Sequence, residues 1–177
     1  MKSHFNHSTP NYSKPEVLPF TKIEPWSFSA LAKDGYKLYK ENIPARDVTK
    51  YVYMGFTKSC HPQYKFDSSP EKTLAQILEE DTSIQKWLRP ADKQFRIYWA
   101  NNSRLYYPDF VVEREEAIYL VEVKASNQID TGEVQDKKRA AENYCMYATE
   151  YSKANEKKPW KYVIFPDSKI QLSSSFD

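Results

Sequence analysis

Glycine is scarce in this chain, with only 3 among 177 residues. The phosphate-binding loops of nucleotide-dependent motors need closely spaced glycines, because a backbone without Cβ atoms can wrap tightly around a phosphate. No Gly-x-x-x-x-Gly-Lys-Ser/Thr sequence is present, and three glycines leave no other loop of this kind. We therefore expect no ATP site in this chain.

Cysteine and long apolar runs are also scarce. Cys60 and Cys145 lie far apart without metal-ligand spacing, which predicts reduced thiols and does not support a disulfide framework. The longest apolar run, residues 117–121, is far shorter than the roughly twenty residues of a membrane span. The N-terminal residues lack the pattern of a signal peptide. These absences predict a cytoplasmic protein without a membrane partner.

The charge and the length limit the function classes further. A net charge of only +2 gives no global basic excess, so a nucleic acid would have to bind a local patch. Hydrophobic residues make up 40% of the chain, which is enough for a packed core. We expect residues 1–50 to form an N-terminal tail, linker or extension, and residues 51–177 to form the main domain.

The spacing of apolar residues predicts an α/β fold with a mixed central sheet flanked by helices. Ser69-Pro70-Glu71 is typical of a helix start, because it combines a capping hydroxyl, an early proline and an acid in the first turn. The remaining expected elements are an outer strand at residues 51–56, a short helix at 84–88, strands at 95–99, 105–112 and 117–124, a helix at about 133–152 and a strand at 160–165. The core order is helix, three strands, helix, strand.

Two carboxylates and a lysine stand at the ends of two neighbouring predicted strands. Asp109 follows Pro108, and Glu122 and Lys124 point to one face of the next strand because they are two residues apart. Burying these charges is unfavourable unless they pair or bind a metal. Two carboxylates and the backbone carbonyl of Val123 suit Mg²⁺, and a lysine there can orient water or neutralise a phosphate. An ordinary hairpin with a solvated Glu122–Lys124 pair fits the same spacing.

Three further residues extend this hypothesis. Glu71 is a candidate fourth member of the site, although an acid in a first helical turn has the simpler role of favouring the helix dipole. Lys138 lies on the apolar stripe of the long helix, with Gln135 one turn earlier. Both are candidate DNA contacts, and the alternative for Lys138 is a side chain that snorkels to solvent. We expect Lys137 and Arg139 to form a solvated basic face.

The chain from about residue 51 to 176 resembles the C-terminal endonuclease domain of the restriction subunit of type III restriction enzymes. Asp109 with Glu122-Val123-Lys124 is similar to the PD-(D/E)xK nuclease motif, which alone is a short and weak match. Six blocks in order carry the resemblance: residues 65–71 (KFDSSPE), 86–90 (KWLRP), 107–113 (YPDFVVE), 119–124 (YLVEVK), 137–145 (KKRAAENYC, of which KKRAA and YC match) and 160–163 (WKYV).

The resemblance implies a restriction-endonuclease-like fold and Mg²⁺-dependent hydrolysis of double-stranded DNA, with Mn²⁺ as a substitute. Asp109 and Glu122 would bind the metal with Val123, Lys124 would be the catalytic lysine, and Glu71 could complete the site. Lys65 joins Lys138 as an expected phosphate contact. The parent assembly would supply a helicase motor and a modification subunit that recognises DNA, since this chain has neither. A catalytically silent module, a junction resolvase and a transposon nuclease are the alternatives.

Overall fold

The computed structural model of the protein describes residues 23–31, 33–92, 94–99 and 104–176. Of the N-terminal tail, linker or extension predicted at residues 1–50, residues 1–22 lie outside the described residues. In chain order the elements are β1 (Gly35–Leu38), β2 (Tyr51–Met54), β3 (Gln63–Tyr64), α1 (Ser69–Glu80), β4 (Ile84–Leu88), β5 (Ile97–Trp99), β6 (Arg104–Tyr106), β7 (Phe110–Arg114), β8 (Ile118–Lys124), α2 (Gly132–Ala154) and β9 (Trp160–Pro166). Short 3-10 helices occupy Ala45–Lys50, Ser126–Gln128 and Asp167–Lys169.

A four-stranded sheet in the order β4-β7-β8-β9 lies between two apolar clusters. Its first three strands are antiparallel, and β9 runs parallel to β8 after the α2 crossover. The neighbouring residues Leu120 and Val121 are both fully buried but belong to different clusters, so the two clusters cover opposite faces of the sheet. The chain therefore has the mixed α/β architecture that the sequence predicts.

One face of the sheet packs against α1 and a small sheet in the order β1-β2-β3. The other face packs against α2 and the two-stranded sheet of β5 and β6. The helix α1 begins as expected, except that the capping side chain is Ser68, whose Oγ accepts from the N–H of Glu71 at 3.3 Å. The end of β8 and the start of α2 are joined by residues 125–131, which include the short 3-10 helix Ser126–Gln128.

The prediction of a helix over residues 84–88 is wrong, because this segment is β4. Ile84, Trp87 and Leu88 are buried at helix-like spacing. This spacing results from a register shift between Ile84 and Lys86 where β4 pairs with β7. A bulge of this kind interrupts the alternation of a strand, so the apolar residues imitate a helical period.

The strand predicted over residues 105–112 is two strands. Its first part belongs to β6, which pairs with β5 in a separate sheet, and its second part belongs to β7 in the central sheet. Pro108 lies in the break, where it lacks the N–H that a ladder needs. The break leaves Asp109 outside both ladders, directly before β7.

The expected strand at residues 51–56 exists as β2, but it is not an outer strand of the central sheet. It pairs with β1 in parallel and with β3 in antiparallel orientation. Since β1 begins at Gly35, ordered pairing crosses the boundary that we predicted at residue 51. That domain boundary stays a prediction.

Candidate active site

Asp109, Glu122 and Lys124 meet at one end of the central sheet. Phe110, the first residue of β7, pairs with Val121 of β8, which brings Asp109 beside Glu122. The N–H of Val123 donates to Oδ2 of Asp109 at 2.8 Å. Nζ of Lys124 lies 2.5 Å from Oε1 of Glu122. The sheet register thus assembles the three side chains that the sequence singled out.

The two carboxylates are neighbours, and Glu122 is buried whereas Asp109 is half-buried. The Glu122 side chain is only 5% exposed. Burial raises the pKa of Glu122, although Lys124 opposes this change. Burial, and then the charge of Glu122, raise the pKa of Asp109 to about 7. Burial and mutual repulsion therefore favour the protonated forms of these two acids, and the nearby cations only partly oppose this effect.

Lys124 is a cation at neutral pH. Burial alone would lower its pKa, but the charges of Glu122, Asp109 and Glu71 outweigh burial and raise it above the usual value. An ammonium group cannot accept a proton from water. The geometry therefore favours a role for Lys124 in orienting groups and neutralising charge over a role as a general base.

Glu71 lies near the carboxylates but is held by another partner. Its Oε2 is 2.6 Å from Nη1 of Arg89, and the two side chains are 13% and 14% exposed. Nη2 of Arg89 reaches Oδ2 of Asp67 at 2.6 Å. The charge of Glu71 nevertheless contributes to raising the pKa of Asp109. Glu71 thus belongs to the electrostatic surroundings of the site while its carboxylate is engaged by Arg89.

Arg89 is a candidate site residue that the sequence reasoning missed as such. It follows β4 directly, and its guanidinium lies 5.7 Å from the ring centre of Phe66 and 6.0 Å from that of Phe110. These rings and the Glu71 carboxylate fix its position. Arg89 stands in the block KWLRP, which is one of those that carry the family resemblance. The helix predicted over residues 84–88 ends directly before it and indicated no role in the site.

Each of the three predicted DNA contacts has a partner other than Asp109 and Glu122. Lys65 pairs with Asp34 at 2.7 Å. The amide of Gln135 donates to the carbonyl of Ile129 at 2.8 Å and so braces the turn before α2. Nζ of Lys138 lies 3.9 Å from a carboxylate oxygen of Glu142, and its side chain is 39% exposed. Their roles in DNA binding stay predictions.

Lys137, which the sequence assigned to a solvated face, lies nearer the site than that assignment implied. Its side chain is 24% exposed, and its charge reaches Glu122 and lowers the pKa of that carboxyl against the effect of burial. Tyr106 and Tyr162 also adjoin Glu122. Burial, and then Glu122, raise the pKa of both phenols well above the usual range. No apolar period in the sequence indicated these three neighbours.

A divalent cation fits the residues that are present. Within the described ranges, Oε2 of Glu122 is buried and makes no hydrogen bond of good geometry, and the buried hydroxyl of the adjoining Tyr106 makes none either. A buried carboxylate oxygen without a partner is unfavourable, and a cation would satisfy it. No group of three or more His, Cys, Asp or Glu side chains in the described part of the chain has metal-binding geometry. Mg²⁺, however, commonly uses only one or two carboxylates together with water.

Comparison with protein-family models and with curated protein sequences found no match to this chain. The family resemblance is thus a prediction that rests on the sequence blocks. Among the helices that the structure describes, none has both the length and the apolar character needed to cross a membrane.

Proposed function

We propose that this chain is a Mg²⁺-dependent DNA endonuclease domain with a restriction-endonuclease-like fold. The observation that carries the proposal is the convergence of Asp109, Glu122 and Lys124, in which a buried carboxylate oxygen makes no hydrogen bond of good geometry. A structural ion pair between Glu122 and Lys124 has no need for a second carboxylate, because one ammonium group balances Glu122 and Asp109 then repels Glu122. The sequence of α1, β4, β7, β8, α2 and β9 around one sheet supports the fold assignment.

Asp109 and Glu122 would hold the metal, with the carbonyl of Val123 as a further oxygen ligand. Mn²⁺ has similar ligand preferences and should substitute. When bound, the ion supplies a Lewis acid that polarises the scissile phosphate and lowers the pKa of bound water. Glu71 could join these ligands only by leaving Arg89, because its Oε2 is already in that ion pair.

Lys124 would place its positive charge beside the reacting phosphate. The short contact with Oε1 of Glu122 fixes the direction of the ammonium group and leaves it two further N–H donors. Those donors can orient a water molecule and stabilise the negative charge that develops on the phosphate oxygens. The Val123 N–H fixes Asp109 in the same way.

Target choice would come from outside this site. Contacts to phosphates position DNA but do not read its sequence. We therefore propose that the chain acts as the nuclease part of a type III-like restriction assembly, in which a motor and a modification subunit select the target. ATP use would belong to the motor.

Plasmid cleavage tests the proposal. Supercoiled DNA is incubated with Mg²⁺ or Mn²⁺ and with the wild type, Asp109→Ala or Lys124→Ala, alone and with a candidate motor and modification subunit. We expect nicking by the wild type and a loss of at least about a hundredfold in each variant. Normal cleavage by Lys124→Ala would show that the site assignment is wrong.

The same assay separates the alternatives. A wild type that binds duplex DNA but never cuts it, in any divalent metal and with its partners, would be a catalytically silent nuclease fold. Cleavage of four-way junctions with linear duplexes left intact would identify a junction resolvase. Cutting confined to transposon ends would identify a transposon nuclease.

A further inference from the structure

Two cations from different elements each lie against one buried indole. Nζ of Lys137, in the second turn of α2, lies 5.1 Å from the ring centre of Trp99 on β5. The guanidinium of Arg104, at the start of β6, lies 5.4 Å from the same ring centre. Trp99 itself is only 7% exposed, whereas Arg104 is exposed. The indole is therefore a fixed platform that holds two positive charges at the surface.

This platform adjoins the candidate active site. The charge of Lys137 acts on Glu122, and the charges of Arg104 and Lys124 both act on Glu133, the acid in the first turn of α2. Lys137 also pairs with Glu133 at 2.7 Å. Glu133 is exposed, so this ion pair is open to exchange with another anion. Lys137 thus lies near Glu122, and Arg104 is linked to the same region through Trp99 and Glu133.

A phosphodiester that approaches Asp109 and Glu122 is repelled by them, so a nuclease needs fixed cations nearby. Cation–π contacts restrict Lys137 and Arg104 without consuming their N–H donors, which reduces the entropy lost when they bind an anion. A guanidinium can bind a phosphate through two parallel hydrogen bonds. In contrast, the guanidinium of Arg89 is already occupied by two carboxylates.

We propose that Lys137 and Arg104, both held on Trp99, form a binding site for backbone phosphates of duplex DNA next to the scissile position. The proposal rests on the nuclease function proposed above. It assigns these two residues to DNA positioning. Lys137 would exchange its contact with Glu133 for a phosphate, and Trp99 is too deeply buried to stack on a base.

DNA affinity measured against salt tests this site. The full chain carrying Lys124→Ala, which prevents cleavage, is titrated into a fluorescein-labelled 20-base-pair duplex in Mg²⁺ over a series of KCl concentrations. Lys137→Gln and Arg104→Gln are added to it singly and together. Each lost phosphate contact should reduce the slope of log K against log salt by about 1, and the double variant by about 2.

Matched controls keep the test specific. Lys153→Gln lies at the other end of α2, and Arg46→Gln changes an arginine that is 87% exposed, so neither should alter the slope. Lys137→Arg keeps the charge and should keep the slope. Thermal melting of each variant verifies folding. A reduction seen with several unrelated duplexes supports a phosphate site.

The outcomes separate this proposal from the nuclease function. If the Lys124→Ala chain binds DNA but Lys137→Gln and Arg104→Gln keep its salt slope, the phosphate site is wrong and the nuclease function stands. A loss restricted to one DNA sequence would also overturn it, since it would indicate base contacts. If neither the wild type nor the Lys124→Ala chain binds DNA, even with its partners, both proposals fail.

Discussion

Glu122 gives only one of its carboxylate oxygens to Lys124, through the 2.5 Å contact between Oε1 and Nζ. The other oxygen is buried and, among the described residues, makes no hydrogen bond of good geometry, although the phenol of Tyr106 adjoins Glu122. Asp109 stands beside this pair and adds a second negative charge. This arrangement destabilises the metal-free protein. Such a loss of stability is expected when a site for a cation places carboxylates close together.

Replacement of Asp109 by Asn should stabilise the metal-free protein in a pH-dependent way. Folding raises the pKa of Asp109 from 3.8 to about 7, so the folded state binds this proton more tightly than the unfolded state does. The resulting destabilisation is absent below about pH 4, grows as the pH rises and is complete above about pH 7. Asn keeps an oxygen for the Val123 N–H. At pH 8 we expect a gain on the order of 4 kcal/mol in the free energy of unfolding.

Urea unfolding of the wild type and Asp109→Asn from pH 4 to pH 8 measures this gain. The two proteins should have nearly equal stability at pH 4 and diverge above it. Mg²⁺ should then stabilise the wild type at pH 8 much more than the variant, because the variant lacks one metal ligand. A difference in stability between the two proteins that stays constant from pH 4 to pH 8 would contradict the raised pKa of Asp109.

Arg89→Gln should shift the pH dependence of cleavage. The guanidinium neutralises Glu71 and also lowers the pKa of Asp109 directly. Without Arg89, the free charge of Glu71 should raise the pKa of Asp109 further, so the acid limb of the nicking rate moves to higher pH. We also expect a loss of roughly 2 kcal/mol in stability, because a largely buried carboxylate loses its charged partner.

The matched control for this shift is the double variant Arg89→Gln, Glu71→Gln. It removes both charges of the pair, so its nicking rate should return toward the pH dependence of the wild type. A shift of equal size in the double variant would show that Glu71 does not act on Asp109. Because a proton and Mg²⁺ compete for Asp109, both profiles are measured at subsaturating and at saturating Mg²⁺, and the shift should be larger at subsaturating Mg²⁺.

Glu79→Gln should destabilise the fold without involving the candidate site. Glu79 is 5% exposed and accepts hydrogen bonds from Thr57, Lys58 and Trp87. Burial would raise the pKa of Glu79, but these donors outweigh burial and lower it. Its contribution to stability is therefore present above about pH 4.5 and is lost as the pH falls through the folded-state pKa.

At pH 7 we expect Glu79→Gln to lose about 2–3 kcal/mol in the free energy of unfolding, because an amide cannot accept all of these bonds. The neighbouring Glu80 is exposed, so Glu80→Gln should change stability by less than about 0.5 kcal/mol. Denaturant unfolding at pH 7 and at pH 3 compares the variants. A similar loss of stability in Glu79→Gln and in Glu80→Gln at pH 7 would contradict the role given to Glu79.

Local sequence signals were sufficient where one short-range rule decides the structure. The start of α1 follows from a capping hydroxyl and a proline, and the convergence of Asp109 with Glu122 follows from strand alternation across a hairpin. The strand β4 was not predictable in this way, because its bulge imitates a helical period. Long-range contacts were also out of reach. The pairing of Arg89 with Glu71 joins residues 18 positions apart along the chain.

We expect two adjacent lysines of α2 to differ in their effect on the salt dependence of DNA binding. The apolar stripe of the sequence favours Lys138 as a phosphate contact, whereas the structure brings the charge of Lys137 to Glu122. Lys138 lies beside Glu142 at the surface, a type of pair that contributes little. We expect Lys138→Gln to change the salt slope of DNA binding by much less than about 1, the change expected for Lys137→Gln. The reverse result would place the DNA along the flank of α2 that carries Lys138 and Glu142, and the sequence-based prediction would then be right.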